Sequence, residues 1–330
     1  MQKTLSVINL SAIRSNALYV RSLIGKRFFR AVVKADAYGH GAAEVSREIE
    51  DVVDGFCVAL AEEGAELRIN GITKPVLVLA PPLCEEDAAK LEYYGLTPTV
   101  TDVKTARLIG GQICHVAVNT GMNRYGCFGG GLDEVLTILE KGRIEGVYSH
   151  LYAAENAMHS KLQAAAFRTA VAKVKEHSPA AQAHFAASGG ILRGGEYLFD
   201  GVRCGLMLYG YAPKGFNAPA LKPALKVFAR LSGETEVTGG GVGYNIADRA
   251  YKRLYTYRLG YADGFFRGVP LGEKTLCMDA FVSTKRAEYL PVFTDADAYA
   301  ARCGTISYEV LCSVTRRSLK VYERTTEIQI

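Results

Sequence analysis

A chain of 330 residues with 49% hydrophobic content can bury a large core, and it exceeds the length at which a single core stops growing, so two domains are expected. Its formal net charge of +5 comes from lysines and arginines scattered among acids, a pattern that gives nucleic-acid binding no support and suits a small anionic ligand. The eight cysteines have no paired metal-binding spacing, no window approaches the ~20 apolar residues of a membrane span, and the N-terminus lacks a continuous apolar signal core; a soluble, cytoplasmic protein with reduced thiols and no metal is expected.

The first run, TLSVINL, is able to add a strand to a later β domain. From residue 29 to residue 210 one grammar repeats: a short β-rich apolar run, a polar turn, then an amphipathic helical stretch. Eight such runs occur, at 29–34, 55–60, 75–80, 97–102, 115–120, 144–151, 182–188 and 199–209. The segments between them, such as 61–70 and 159–177, carry Ala, Glu, Lys and Leu at helical spacing. Eight strand-then-helix units predict a TIM (β/α)8 barrel over residues 1–213, with its site at the C-terminal strand ends. Lys34, Asn119, His150, Ser188 and Arg203 all fall near those ends. After Pro213 the grammar changes to alternating runs such as LYTYRLGY and SLKVYERT with glycine-rich turns, which predicts a smaller C-terminal β domain over 214–330.

The stretch RAVVKADAYGHG delivers Lys34 from a buried run to a glycine-bearing loop. A lysine at a strand end is ordinarily a solvated or paired cation. Shielding by the strand and the aromatic loop would lower the pKa of Lys34 and let its neutral amine attack an aldehyde.

This stretch closely resembles the signature of alanine racemases, barrel enzymes that hold pyridoxal 5′-phosphate (PLP) on a lysine, and the resemblance continues in ordered blocks through the whole chain. It implies that Lys34 carries PLP and that Tyr38 contacts its phosphate. VAVNTGMNRYGC resembles the family's TGM-x-R-x-G element, which makes Arg124 the residue that orients the substrate carboxylate; a guanidinium fork suits that task. DGVRCGLMLYGYAP resembles the R-x-G-x-x-x-YG segment, which places Arg203 against the pyridine nitrogen and gives a histidine matching His150 the task of holding that arginine. Arginine keeps its proton, so the ring nitrogen would accept a hydrogen bond without being protonated, and return of a proton to Cα would be favoured over transamination.

By the same resemblance Ser188, the amides around Gly205 and Leu206, and Tyr308 bind the phosphate, while LGYADGF makes Tyr261 the second acid/base opposite Lys34. LCMDA supplies Cys277, Met278 and Asp279 to the substrate pocket, and the bulk of Tyr308 favours a small substrate side chain. The chain departs from the commonest family pattern in having Asp36 for Asn, Ala187 for Asn and Ala117 for a lysine that supports the arginine, a task left to Asn119 or a bound anion. It also has short connections on both sides of LCMDA, where relatives build entrance loops at a dimer interface. The expected protein is a PLP-dependent alanine racemase, a homodimer in which Tyr261 is supplied across the interface. A serine or broad-specificity racemase and a PLP-binding protein with little turnover are the alternatives, and a related barrel decarboxylase fits the MNRYG, GYADG and CMD blocks less well.

Overall fold

The computed structural model describes residues 4–247 and 250–324. Two compact units divide the chain: one comprises Arg14–Ala37 and Ala42–Leu221, the other Met1–Ile13, Tyr38–Gly41 and Lys222–Ile330. Strand β1 (Leu5–Asn9) belongs to the second unit, and β2 (Phe28–Val32) through β9 form the first.

The intervening strands are β3 (Gly55–Val58), β4 (Val76–Val78), β5 (Thr99–Val100), β6 (Cys114–Ala117), β7 (Ile144–Tyr148), β8 (Gln182–Ala186) and β9 (Gly201–Cys204). All pair in parallel, in the order β4-β3-β2-β9-β8-β7-β6-β5. The ring closes where Val78 N–H donates to Thr97 O at 2.9 Å and Thr97 N–H to Val76 O at 2.8 Å. This is the expected TIM barrel. Strands buried on both faces read as unbroken apolar runs, which is why these short segments stood out in the sequence.

Register decides which residues line the interior. Arg30 lies opposite Arg203, His115 opposite both Thr99 and Gly146, and Tyr148 opposite His184. Partners in a parallel ladder share a face, so the interior of the barrel carries an unusually polar set. The other face is apolar: Phe167 of the helix Ala157–His177 stacks on Phe185 of β8 at 5.1 Å within the core of Val116, Val135 and Val147.

In the second unit β10 (Leu225–Glu236) is the longest strand and the organiser. It pairs antiparallel with β1, with β13 (Arg253–Tyr257) and with β15 (Tyr289–Phe293), its register shifting at Gly233. A small hairpin of β11 (Gly241–Val242) and β12 (Asn245–Ile246) stands apart, β14 (Phe281–Ser283) adds to β13, and β16 (Leu319–Glu323) lies parallel to β1. The unit is a mixed sheet and also carries two helices, Ala296–Cys303 and Ser307–Ser313, which the sequence pattern did not separate from the strands. Asp295 marks the first of them, accepting Ala298 N–H at 2.8 Å as an N-cap.

Candidate active site

Lys34 stands two residues beyond β2, half-buried, and opens a single left-handed helical turn, Lys34–Tyr38. Ala35, Asp36, Ala37 and Tyr38 have φ of 52°, 54°, 53° and 52°. Each L-residue held in that region costs about 1–2 kcal/mol, so the turn needs support from its surroundings. Glu63 gives it. One of its carboxylate oxygens accepts Ala35 N–H at 2.7 Å, while the other accepts the N–H groups of Ala59 and Leu60 at 2.6 and 3.1 Å. Asp36 accepts Ala42 N–H at 2.8 Å, meeting an orphan donor at the start of the helix Ala42–Ile49. A short acidic side chain in a left-handed turn thus has a structural task of its own.

The glycines that follow are required by close approach. Gly39 has φ +80° and a Cβ there would lie 2.6 Å from Leu311 O; Gly41 has φ +94° and a Cβ would lie 1.9 Å from Tyr322 Oη. The Tyr38 ring lies 5.9 Å from that of Tyr308 at an interplanar angle of 47°, so the two tyrosines assigned to the phosphate are neighbours within the second unit.

Arg203 is buried in the barrel with most of its donors committed. Both Nη1 hydrogens go to His184, one to Nδ1 at 2.7 Å and one to the backbone oxygen at 2.8 Å, and Nη2 donates to Ser149 O at 2.6 Å. The guanidinium lies 4.7 Å from the centroid of the Tyr148 ring, on which the His184 ring stacks at 5.0 Å. The partner expected from the resemblance was His150. The structure corrects this: the guanidinium lies over Tyr148 and reaches His184, while the His150 backbone oxygen accepts from Gln163. His150 nevertheless sits among the cations. Burial first, and then the charges of Arg203, Arg124 and Lys34, push it down to about 3, so it is a neutral ring at ordinary pH.

Ser188 is buried at the start of the helix Ser188–Arg193, its Oγ accepting Met207 N–H at 3.3 Å and lying 3.8 Å from Cys204 Sγ. The barrel fold therefore brings Ser188 to the 3-10 turn Leu206–Tyr209 that follows Gly205, as an anion cradle of hydroxyl and amides requires. This set fits a phosphorylated pyridine. Arg203 keeps its Nε–H and one Nη2 hydrogen without a protein acceptor among the described residues, which suits a ring nitrogen that accepts but does not take a proton.

Arg124 is exposed on the loop after β6 and borders an open cavity of about 530 Å3 shared with Asp102, Lys104, Tyr125 and Glu134. Asn119 does not touch its guanidinium. Instead the Asn119 side chain folds the loop, accepting N–H groups of Gly121 and Asn123 at 3.0 and 3.1 Å and donating to Asn123 Oδ1 at 3.0 Å. Ala117 is buried at the end of β6.

In the second unit Tyr261 begins a 3-10 turn, Tyr261–Asp263, and is 37% exposed. The turn hangs on LCMDA: Tyr261 N–H donates to Cys277 O at 3.1 Å and Ala262 N–H to Met278 O at 3.0 Å, with Gly260 so close that a Cβ would lie 2.2 Å from Met278 O. Asp263 accepts Gly260 N–H at 2.8 Å and pairs with Arg317 Nε at 3.4 Å; Arg317 also donates to Asp279 at 2.8 Å. One arginine thus joins the tyrosine turn to the Cys277–Met278–Asp279 loop.

Sequence reasoning missed Glu63, His115, His184 and Arg317. For the histidines a signal was present: each interrupts an apolar barrel strand at an inward position of the period-two alternation. No comparable signal marked Glu63 or Arg317.

Comparisons with known proteins bear on the family and the fold. A family model described as "Alanine racemase, N-terminal domain" matches residues 8–213. The chain is 31% identical to the alanine racemase of Aquifex aeolicus (strain VF5), over 97% of this chain and 99% of that protein, and 32% identical to that of Carboxydothermus hydrogenoformans, over 98% and 100%. The structure of alanine racemase from Clostridium difficile 630 superposes with a TM-score of 0.86 at 29% identity, covering 98% of this chain and 96% of that one. A Bartonella henselae alanine racemase with covalently bound pyridoxal phosphate shares the fold, with a TM-score of 0.83 at 24% identity over 98% and 100%.

Proposed function

The chain belongs to the alanine racemase family, and on that premise we propose that it interconverts L-alanine and D-alanine with PLP as its cofactor. The observation that carries the reading is Arg203, a buried guanidinium with two Nη1 hydrogens fixed on His184 and spare donors left over. When bound, PLP supplies an aldehyde to the amino group and a conjugated ring that draws electrons from Cα.

The protein's own residues divide the remaining tasks. Lys34 holds the cofactor and moves a proton on one face of the reacting carbon, and Tyr261 moves a proton on the other; racemisation needs an acid and a base on opposite faces. Lys34 takes the α-proton of D-alanine and Tyr261 that of L-alanine. Ser188, the amides of Gly205 and Leu206, and the hydroxyls of Tyr38 and Tyr308 bind the phosphate. Arg124 takes the substrate carboxylate, Met278 borders the substrate, and Cys277 and Asp279 seat the Tyr261 turn. Arg203 hydrogen-bonds the ring nitrogen without surrendering its proton, and His150 stays neutral beside it. The proposal extends to a homodimer in the cytoplasm, with Tyr261 supplied across the interface; no helix among the described residues is long and apolar enough to cross a membrane.

Purified protein is incubated with PLP and single L- or D-amino acids while optical rotation is followed. Alanine should lose its rotation from either side, with serine slower. Lys34→Ala should remove the visible absorption of bound PLP, whereas Tyr261→Phe should keep that absorption and lose removal of the α-proton from L-alanine, and with it racemisation in both directions. Binding of PLP with no interconversion of any amino acid would sink the proposal, and serine turning over as fast as alanine would widen the substrate class.

A further inference from the structure

We propose that Glu145 is a positioning residue for Arg203, acting through His115 and His184 along one hydrogen-bonded row of fixed proton order. Its link to activity rests on the role given to Arg203 above; the row itself does not.

Four groups from β9, β8, β6 and β7 stand in line across the barrel: Arg203 Nη1 to His184 Nδ1 at 2.7 Å, His184 Nε2 to His115 Nδ1 at 2.7 Å, and His115 Nε2 to Glu145 Oε2 at 3.4 Å. The proton order follows from the ends. A guanidinium only donates, so His184 Nδ1 must offer a lone pair and carry its proton on Nε2. That proton points at His115 Nδ1, which must then be bare, and the second ring also carries its proton on Nε2. An ionised carboxylate only accepts, so Glu145 completes the row in the same sense.

Neither ring takes a second proton. Burial pushes His115 down to about 4 and His184 well below its ordinary value, and the charges of Arg30 and Arg203 add to this. Arg30 is well placed to do so. It faces Arg203 in register, lies 4.1 Å from the Phe28 ring, donates to Gln182 Oε1 at 3.0 Å, and is itself buried. Space for the row has been made in the backbone: a Cβ on Gly146 would lie 2.5 Å from the His115 ring.

The reversed order is excluded from both ends of the row. With both protons on Nδ1, His184 would aim a donor at the Arg203 donor 2.7 Å away, and the guanidinium would lose the seat that directs its spare hydrogens. At the far end Glu145 is the acceptor, among the described residues, that holds the His115 Nε2 proton and with it the position of the ring. Glu145 is about half exposed, so it can be replaced without opening the core.

The test reads the protons directly. In 15N-histidine-labelled holoenzyme at neutral pH, His115 and His184 should both be protonated on Nε2 and bare on Nδ1. Glu145→Gln, whose amide oxygen still accepts, should keep this pattern. Glu145→Leu should keep the order set from the Arg203 end, shift the His115 Nε2 resonance as its proton loses its acceptor, and lower kcat for alanine roughly tenfold, with KM changed by less than about twofold, the size usual when an outer hydrogen-bond partner is lost. A wild-type proton on Nδ1 of either ring overturns the proposal, as does an unchanged His115 Nε2 resonance or an unchanged kcat in Glu145→Leu. Absence of racemisation with the tautomers and the Glu145-dependent His115 resonance as described would refute the functional reading and leave the row standing.

Discussion

Asp263 gives the sharpest handle on the tyrosine turn. Its carboxylate is only 13% exposed, accepts Gly260 N–H at 2.8 Å and meets Arg317 at 3.4 Å. A hydrogen bond to a shielded charged acceptor is worth about 1.5–3 kcal/mol. The Arg317 pair adds little, since that arginine is 51% exposed and screened by water and salt. Asp263→Ala therefore removes ~2 kcal/mol from the turn, equivalent to roughly 30-fold in the balance between seated and unseated Tyr261. The remaining bonds to Cys277 O and Met278 O keep the seated state populated, so the loss of rate should be about tenfold.

The assay separates the two faces. In deuterated buffer, NMR follows exchange of the α-proton of L-alanine and of D-alanine independently. Asp263→Ala should slow exchange from L-alanine about tenfold and leave exchange from D-alanine, which Lys34 serves, within about twofold. Asp263→Asn, which retains an oxygen for Gly260 N–H and loses only the ion pair, should stay within about threefold of wild type on both. Equal slowing of both enantiomers, or no slowing of L-alanine, would refute the division of labour between Tyr261 and Lys34.

Unfolding free energy should depend on pH in a direction set by the barrel histidines. The folded pKa values of His115 and His184 lie below the ordinary 6.5, so the unfolded chain binds more protons between about pH 6.5 and 4, and stability falls as pH is lowered through that window. His150 is depressed as well, and three such groups give a slope of up to ~4 kcal/mol per pH unit in urea titrations, of which His115→Asn should remove about a third; a flat profile would mean the rings are not buried neutral. Glu63→Ala should release three backbone N–H groups around the left-handed turn, destabilise the protein by about 2–3 kcal/mol and weaken PLP retention, measured by equilibrium dialysis against the wild type. PLP affinity unchanged in that variant would show that the turn holds itself.

Much of the barrel was legible because its strands are short, buried on both faces and separated by helical stretches, as at 55–60 and the helix Ala61–Ile69. The left-handed turn was not. KADAY contains good helix formers and no glycine, and Glu63, which supports the turn, lies 28 residues away from Ala35. The partner of Arg203 was hidden for a similar reason: resemblance pointed to a histidine at a strand end, whereas reach and stacking over Tyr148 select the ring at position 184. Register fixed the face that His115 and His184 share, but only tertiary geometry, across 69 residues, put their nitrogens 2.7 Å apart. The helices of the second unit escaped because alternation and tyrosine content dominated the surrounding pattern, although Asp295 was a readable N-cap.

The choice of a guanidinium at position 203 and the neutrality of the rings behind it are one chemical decision. For a ring nitrogen to gain a proton from Arg203, the arginine would have to become neutral while two of its hydrogens stay engaged by His184. On the proton order proposed above, His184 cannot supply a replacement proton, because its only one is held toward His115, and burial and the charge of Arg30 keep the ring from charging. Proton supply to a ring nitrogen would thus be closed along the whole row. A cofactor held this way would draw less electron density from the reacting carbon and favour return of a proton there. On the proposed roles, the enantiomer formed in each turnover follows from which of Lys34 and Tyr261 delivers that proton. The barrel row would then bear on the kind of reaction, and the Tyr261 turn held by Asp263 and Arg317 on the face that is protonated.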